Sequence, residues 1–162
     1  MPEFKSFSTL ERDSLSRSHK ELTVNEIYAE PDNFLEIDVI NPVTHLPQDS
    51  SDTRGMFTDY EIVCRTNIPS FNKGATRVRR RYSDFEFFRK CLIKELSMLS
   101  HPKVIIPNLP GKILLGTRFS EEAIEERRKG LSKWMKSIAG HPILQLGSKS
   151  LVRFIENDKF IG

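Results

Sequence analysis

The apolar pattern of this chain changes period once, near residue 82, and that change constrains the fold more than any other feature. Before it, Phe34–Ile40 alternates, with Leu35, Ile37 and Val39 on one side and Glu36 and Asp38 on the other. Met56–Thr66 alternates again, setting Tyr60, Ile62 and Cys64 against Asp59 and Glu61, and Ala75–Tyr82 reads as a third, unusually basic run. Period two marks half-buried strands. After it, Ser83-Asp84-Phe85-Glu86 has the form of a capping box, and Phe85, Phe88, Leu92 and Leu96 follow at helical spacing. Ser120, with Glu121 and Glu122 behind it, opens a second long helix that Gly140-His141-Pro142 ends, and a last short helix is expected over Lys149–Asn157. Three strands followed by helices predict an α+β fold, a three-stranded antiparallel sheet packed against a helical subdomain.

The connections are legible too. Asn41–Gly55, with Pro42, Pro47 and an acidic stretch, reads as a long polar loop, and Asn67–Gly74 as a turn region. Val104–Lys112 holds Pro107, Pro110 and Gly111, which rules out a helix interior and favours polyproline-like extension. A Pro-x-x-Pro followed by a base also suits an SH3 domain, although Val104–Ile106 argue for tethering to the core. Residues 1–30 are polar and weakly periodic and read as a flexible extension with at most a helical turn near Thr23–Ala29; residues 31–162 are left as one domain.

Several classes drop out. No apolar run reaches the roughly 18–20 residues that span a bilayer, and the first residues lack the apolar stretch of a signal peptide. Cys64 and Cys91 sit inside apolar patterns without a partner at metal-ligand spacing, so they read as reduced core thiols. The four histidines have no nucleophile or acid at motif spacing, and no phosphate loop is present, so no enzyme, cofactor or metal is expected.

Charge is where function first surfaces. The net +3 hides a division: residues 1–64 carry five bases against 13 acids, residues 65–162 twenty against nine. Between Lys73 and Lys94 the excess is +6, centred on Arg77-Val78-Arg79-Arg80-Arg81-Tyr82-Ser83 at a strand-to-helix junction. On a strand Arg77, Arg79 and Arg81 share one face, and Arg81 falls beside a helix N-terminus whose free N–H groups favour an anion. The plain alternative is a solvated basic edge strand. In the second long helix, Ile124, Leu131, Trp134, Met135 and Ile138 form one stripe, and Arg127 lies about 36° from its mean direction at 100° per residue. A base so near a buried stripe needs an acid, a ligand anion, or a path along its own stem to water.

Taken together, RRRYSDF, IPNLPGK and IEERRKGL resemble, in order and spacing, a phox-homology (PX) domain, the phosphoinositide-binding module of sorting nexins. The resemblance runs from about Asn33 onward, and with no coiled-coil segment after it the chain resembles the PX-only members. It implies that Arg81 meets the 3-phosphate, that Tyr82 packs on the inositol, and that Ser83 adds hydrogen bonds. It further implies Lys112 on the 1-phosphate and Arg127 on the 4- and 5-hydroxyls, hence phosphatidylinositol 3-phosphate as ligand. Leu114, Leu115 and Phe119 match the family's membrane-insertion loop, against the alternative that they pack on their own core. Arg79 and Arg80, beside Arg81, leave room for other phosphoinositides. The implied protein is a peripheral, monomeric adaptor of the cytoplasm and of endosomal or late Golgi membranes, with retromer or coat complexes and cargo tails as partners. Nucleic-acid binding through Arg77–Arg81 is the competing function; against it, Tyr82 is the only aromatic interleaved with the run, and no recognition helix is basic throughout.

Overall fold

The computed structural model describes residues 32–47, 55–99, 104–111 and 119–160. The chain divides into two units at Asp32/Asn33, and the described sheet and helices belong to the unit that begins at Asn33. The expected extension and its Thr23–Ala29 turn lie outside the described residues.

Strands β1 (Leu35–His45), β2 (Phe57–Thr66) and β3 (Ala75–Arg81) form an antiparallel sheet in chain order. The alternation read from sequence is the alternation of burial: Ile37 faces Cys64, Val39 faces Ile62, Ile62 faces Val78, and all five are buried. The first strand, however, continues to His45, through the start of what reads as loop. A register shift between Ile40 and Val43, with Asn41 at φ 49°, absorbs Asn41-Pro42 as a bulge. Beyond it the polar residues satisfy each other across the strands. Thr44 and Thr58 share a hydroxyl hydrogen bond of 2.8 Å, and the His45 ring stacks on Phe57 with centroids 4.6 Å apart.

Four helices follow: α1 (Tyr82–Ser97), α2 (Glu121–Ala139), α3 (Pro142–Gly147) and α4 (Lys149–Glu156). Helix α1 starts at Tyr82 rather than after a Ser83 cap. Arg81 is its N-cap, and the Asp84 carboxylate accepts the Arg81 backbone N–H at 2.7 Å, so Asp84 does what the sequence pattern assigns to Glu86. Ser120 caps α2 as expected, its hydroxyl accepting from the Ala123 N–H at 3.2 Å. Helix α3 was not expected. Pro142 ends α2 and also begins α3, because a proline at the first turn loses no hydrogen bond and the His141 Nδ1 accepts from the Ile143 N–H at 3.2 Å.

Aromatic packing joins the layers. Phe88 stacks on Phe154 at 4.0 Å, while Phe85 and Phe88 meet Trp134 edge-on at 6.2 and 5.8 Å. The free edge of β1 is covered by α2, where Arg128 Nη1 donates to the Val39 carbonyl at 2.9 Å and the Ser132 hydroxyl donates to Asp38 at 2.5 Å.

The proline segment is stapled down. Arg89 Nε and Trp134 Nε1 donate to the Pro107 carbonyl at 3.0 and 2.9 Å, the Tyr82 hydroxyl donates to the Pro110 carbonyl, and Ile106 is buried. That fixation removes the SH3-ligand alternative, since a Pro-x-x-Pro ligand must be free to lie in a foreign groove. Gly130 makes the close approach possible: a Cβ there would sit 2.7 Å from Pro110 Cγ. Glycine in a helix interior costs about 1 kcal/mol relative to alanine, and here the cost brings the segment against α2.

Candidate functional site

The site is assembled on the outward face of β2 and β3. There, successive arginines of β3 reach diagonally rather than straight across. Arg77 is opposite Val63 but its Nη1 donates to Glu61; Arg79 is opposite Glu61 but its Nε donates to Asp59 at 2.7 Å. Arg81 is opposite Asp59, and the same offset carries it onto Phe57, with its guanidinium carbon 3.4 Å from the ring centroid. Two rungs of this ladder end on acids. The third ends on an aromatic face, which holds a cation without neutralising it.

Arg80, on the other face, is 1% exposed and plays no part in the site. Its guanidinium donates to the carbonyls of Phe154 (3.1 Å), Arg79 and Asp158 (3.0 Å each) and to that of Asn157, tying β3 to the end of α4, where the helix dipole favours a cation. Burial lowers its pKa from the ordinary value, with Asp84 and Asp158 opposing. The expectation that Arg79 and Arg80 lend free charge beside Arg81 is therefore corrected: one is paired with Asp59, the other is consumed in the core.

From α2, Arg127 comes to the same place. Its guanidinium carbon lies 3.7 Å from the Tyr82 ring centroid and Nη2 donates to the Gly111 carbonyl at 3.2 Å, while Nε is buried without a hydrogen-bond partner. Among the described residues no carboxylate pairs with Arg127 or with Arg81, whereas Arg65, Arg77, Arg79 and Arg128 each end on one. Burial raises the Tyr82 phenol above its ordinary pKa, with Arg127 opposing, so Tyr82 remains a neutral donor to Pro110.

A cavity of about 240 Å³ lies between these groups, lined by Arg81, Tyr82, Ser83 and Arg127 together with Met56, Phe57, Thr58, Tyr60 and Phe119. Four of the five headgroup residues expected from the sequence thus meet in one place. Lys112 lies outside the described residues; it follows Gly111, whose carbonyl Arg127 holds. Leu114 and Leu115 also lie outside them, and Phe119, their expected companion, lines the cavity. Missed by the sequence reading were Phe57, Thr58, Met56 and Tyr60. Only Phe57 carried a signal: with the register known, it is the next residue on the diagonal that Arg77 and Arg79 follow.

The arrangement suits an anion such as a phosphate. A guanidinium can grip a phosphate through two parallel N–H···O bonds, and the first turn of α1 offers backbone N–H groups with Ser83 left out of the cap. Among the described residues no His, Cys, Asp or Glu cluster could hold a metal, and no helix is long and apolar enough to cross a membrane. Cys64 is buried, which pushes its thiol up to about 11, and Cys91 is half-buried; both are unpaired.

Comparison with known proteins places the chain. The family model described as PX domain matches residues 68–158, so β1 and β2, including Phe57, lie before the matched span. Sorting nexin-3 of Saccharomyces cerevisiae is 68% identical over 160 residues, covering 99% of this chain and 98% of that protein. Sorting nexin-3 of Candida albicans is 53% identical over 90% of this chain and 87% of its own length. In three dimensions the chain is similar to a designed CISK-PX domain solved by X-ray, with a TM-score of 0.54 and 23% identity over 74% of this chain and 97% of the other, a likeness of fold alone. A family match over more than half the chain, joined to near full-length similarity with sorting nexins, means that this chain belongs to the PX-domain family of sorting nexins.

Proposed function

We propose that the protein is a phosphatidylinositol 3-phosphate-binding sorting nexin, a non-enzymatic adaptor that brings cargo-sorting machinery to endosomal membranes for retrieval of membrane proteins. One observation carries this reading: Arg81 and Arg127, each lying on an aromatic ring and neither paired with a carboxylate among the described residues, line one cavity with Tyr82 and Ser83. In this reading Arg81 takes the 3-phosphate with the first turn of α1, and Tyr82 gives its ring to the inositol. Arg127 takes the ring hydroxyls, its guanidinium held in orientation by the Tyr82 ring and the Gly111 carbonyl. Lys112 takes the 1-phosphate, and Leu114, Leu115 and Phe119 enter the bilayer. Retromer or coat complexes and cargo tails are the proposed protein partners, and endosomal or late Golgi membranes the place.

Nucleic-acid binding is disfavoured by the same ladder. A phosphate backbone needs a stripe of available cations, and of Arg77–Arg81 only Arg81 is neither paired with an acid nor consumed by carbonyls.

The test is flotation of the full chain with liposomes that contain or lack phosphatidylinositol 3-phosphate at equal total anionic charge, in rising salt. Preference for the phosphoinositide should persist as salt rises, because a built pocket is screened less than a surface patch. Equal binding to both liposomes would end the proposal.

A further inference from the structure

The acid directly opposite Arg81 in the β2–β3 register is Asp59, with its side chain only 14% exposed, yet it does not pair with Arg81. Cross-strand neighbours of opposite charge ordinarily attract, so something must hold this carboxylate away. Both its oxygens are in use. Oδ1 accepts from Arg79 Nε at 2.7 Å, and the Asp59 carbonyl accepts from Arg79 Nη2 at 3.1 Å. Oδ2 meets His45 Nε2 at 2.9 Å, and the His45 ring in turn stacks on Phe57, the platform of Arg81. Arg79 is itself anchored from β1, donating to the Asn41 carbonyl at 2.6 Å, at the bulge where Asn41 has φ 49°. The bulge in β1 therefore reaches Phe57, on the cavity wall, through three side chains, Arg79, Asp59 and His45.

We propose that Arg79 is a positioning residue for the headgroup site: by engaging Asp59, with His45 on the other oxygen, it keeps the site arginine Arg81 on Phe57 and free for a ligand anion. Without Arg79 the Asp59 carboxylate turns to Arg81, and the ligand then competes with an internal acid. The inference rests on the reading of Arg81 as a headgroup residue and adds to it a reason why that arginine is available.

Calorimetric titration of the full chain with inositol 1,3-bisphosphate at fixed salt tests it. Arg79→Ala should weaken binding about fivefold, and Asp59→Asn added to it should restore affinity to within about twofold. Arg77→Ala removes the same charge one rung away while leaving Asp59 engaged, and should stay within about twofold of the parent. Equal losses for Arg77→Ala and Arg79→Ala, or a loss that Asp59→Asn fails to restore, would overturn the proposal. A readout without ligand stands beside it. The Phe57 ring current should displace the Arg81 δ-methylene proton resonances; the displacement should shrink in Arg79→Ala and return in the double variant. Unchanged Arg81 resonances in Arg79→Ala overturn the proposal whatever the headgroup does. A folded parent protein that takes up no inositol 1,3-bisphosphate overturns instead the headgroup reading, and the resonance arm still judges the ladder. Should Arg79→Ala fail to fold, Arg79→Met, which keeps the apolar stem but cannot hold Asp59, carries the same comparisons.

Discussion

Neighbouring arginines of identical chemistry have opposite jobs here, and burial decides which. Arg80 satisfies main-chain carbonyls at the end of α4 from a site closed to water, so Arg80→Met should leave buried acceptors unpaired and cost about 3 kcal/mol or more of stability, measured by urea unfolding. Arg81 is exposed and lies on Phe57, so Arg81→Ala should leave the unfolding midpoint within about 0.5 kcal/mol of the parent. Its cost falls on the ligand, with about a 100-fold loss of inositol 1,3-bisphosphate affinity by calorimetry if a bidentate charge-assisted contact is removed. Ser83 extends the contrast. It lines the cavity in the first turn of α1, where a phosphate placed by modification would meet the ligand phosphate as a like charge. The Ser83→Asp variant should therefore bind the headgroup at least about tenfold more weakly, and unchanged affinity would refute that placement.

At the scale of elements, the site depends on two close approaches. Helix α2 lets the proline segment approach closely at Gly130, so Gly130→Ala sets two tendencies against each other. Alanine favours the helix by about 1 kcal/mol, but its methyl would stand 2.7 Å from Pro110 Cγ. The segment must then move, loosening Tyr82 from Pro110 and Arg127 from Gly111. Headgroup affinity should fall several-fold while the melting temperature changes little, a split readable by calorimetry and thermal scans. The second approach is the acid ladder of β2. Glu61 is held below its ordinary pKa of 4.5 by the Asn41 side-chain hydrogen bond and then by Arg77 and Arg79, against the opposing effect of burial. Because its folded pKa is the lower one, the stability it lends is full above the ordinary carboxylate range and drains away as pH falls through the folded value. Glu61→Gln should accordingly cost about 1–3 kcal/mol at pH 7, and the difference from the parent should narrow as pH falls below the ordinary carboxylate range.

For the whole molecule, the division of charge in the sequence becomes a division of duty. The acidic part of the chain supplies Asp59 and Glu61, which neutralise Arg79 and Arg77, and the basic part retains Arg81 and Arg127 for the cavity. Net charge therefore says little about binding. What remains available after pairing says more. Membrane retention is expected to need apolar contact as well as the headgroup. Leu114→Ser with Leu115→Ser should weaken liposome flotation clearly, because each leucine contributes up to about 1.5–3 kcal/mol when fully buried, while titration of the soluble headgroup should be unchanged. Parallel loss in both assays would mean that these residues shape the pocket instead.

How much was legible depends on the range over which each feature is determined. Strand alternation at Leu35, Ile37 and Val39, the helical spacing of Phe85, Phe88 and Leu92, and the stripe that put Arg127 near the core are local periodicities, and the chain carries them without help. The continuation of β1 past Asn41 was illegible because a bulge and polar cross-strand pairs imitate a loop, and α3 because its proline reads as a stop. The Ser83 cap was misplaced by two residues, since Asp84 and Glu86 offer the same chemistry and only the path of the strand chooses between them. The sequence by itself determined which residues alternate, where the two long helices and the last short one form, and that cations gather at a strand-to-helix junction. Only the tertiary structure decided which cations stay available: that choice depends on strand register and on a two-residue diagonal reach. Register is set by packing between segments far apart in the chain, which local sequence does not record.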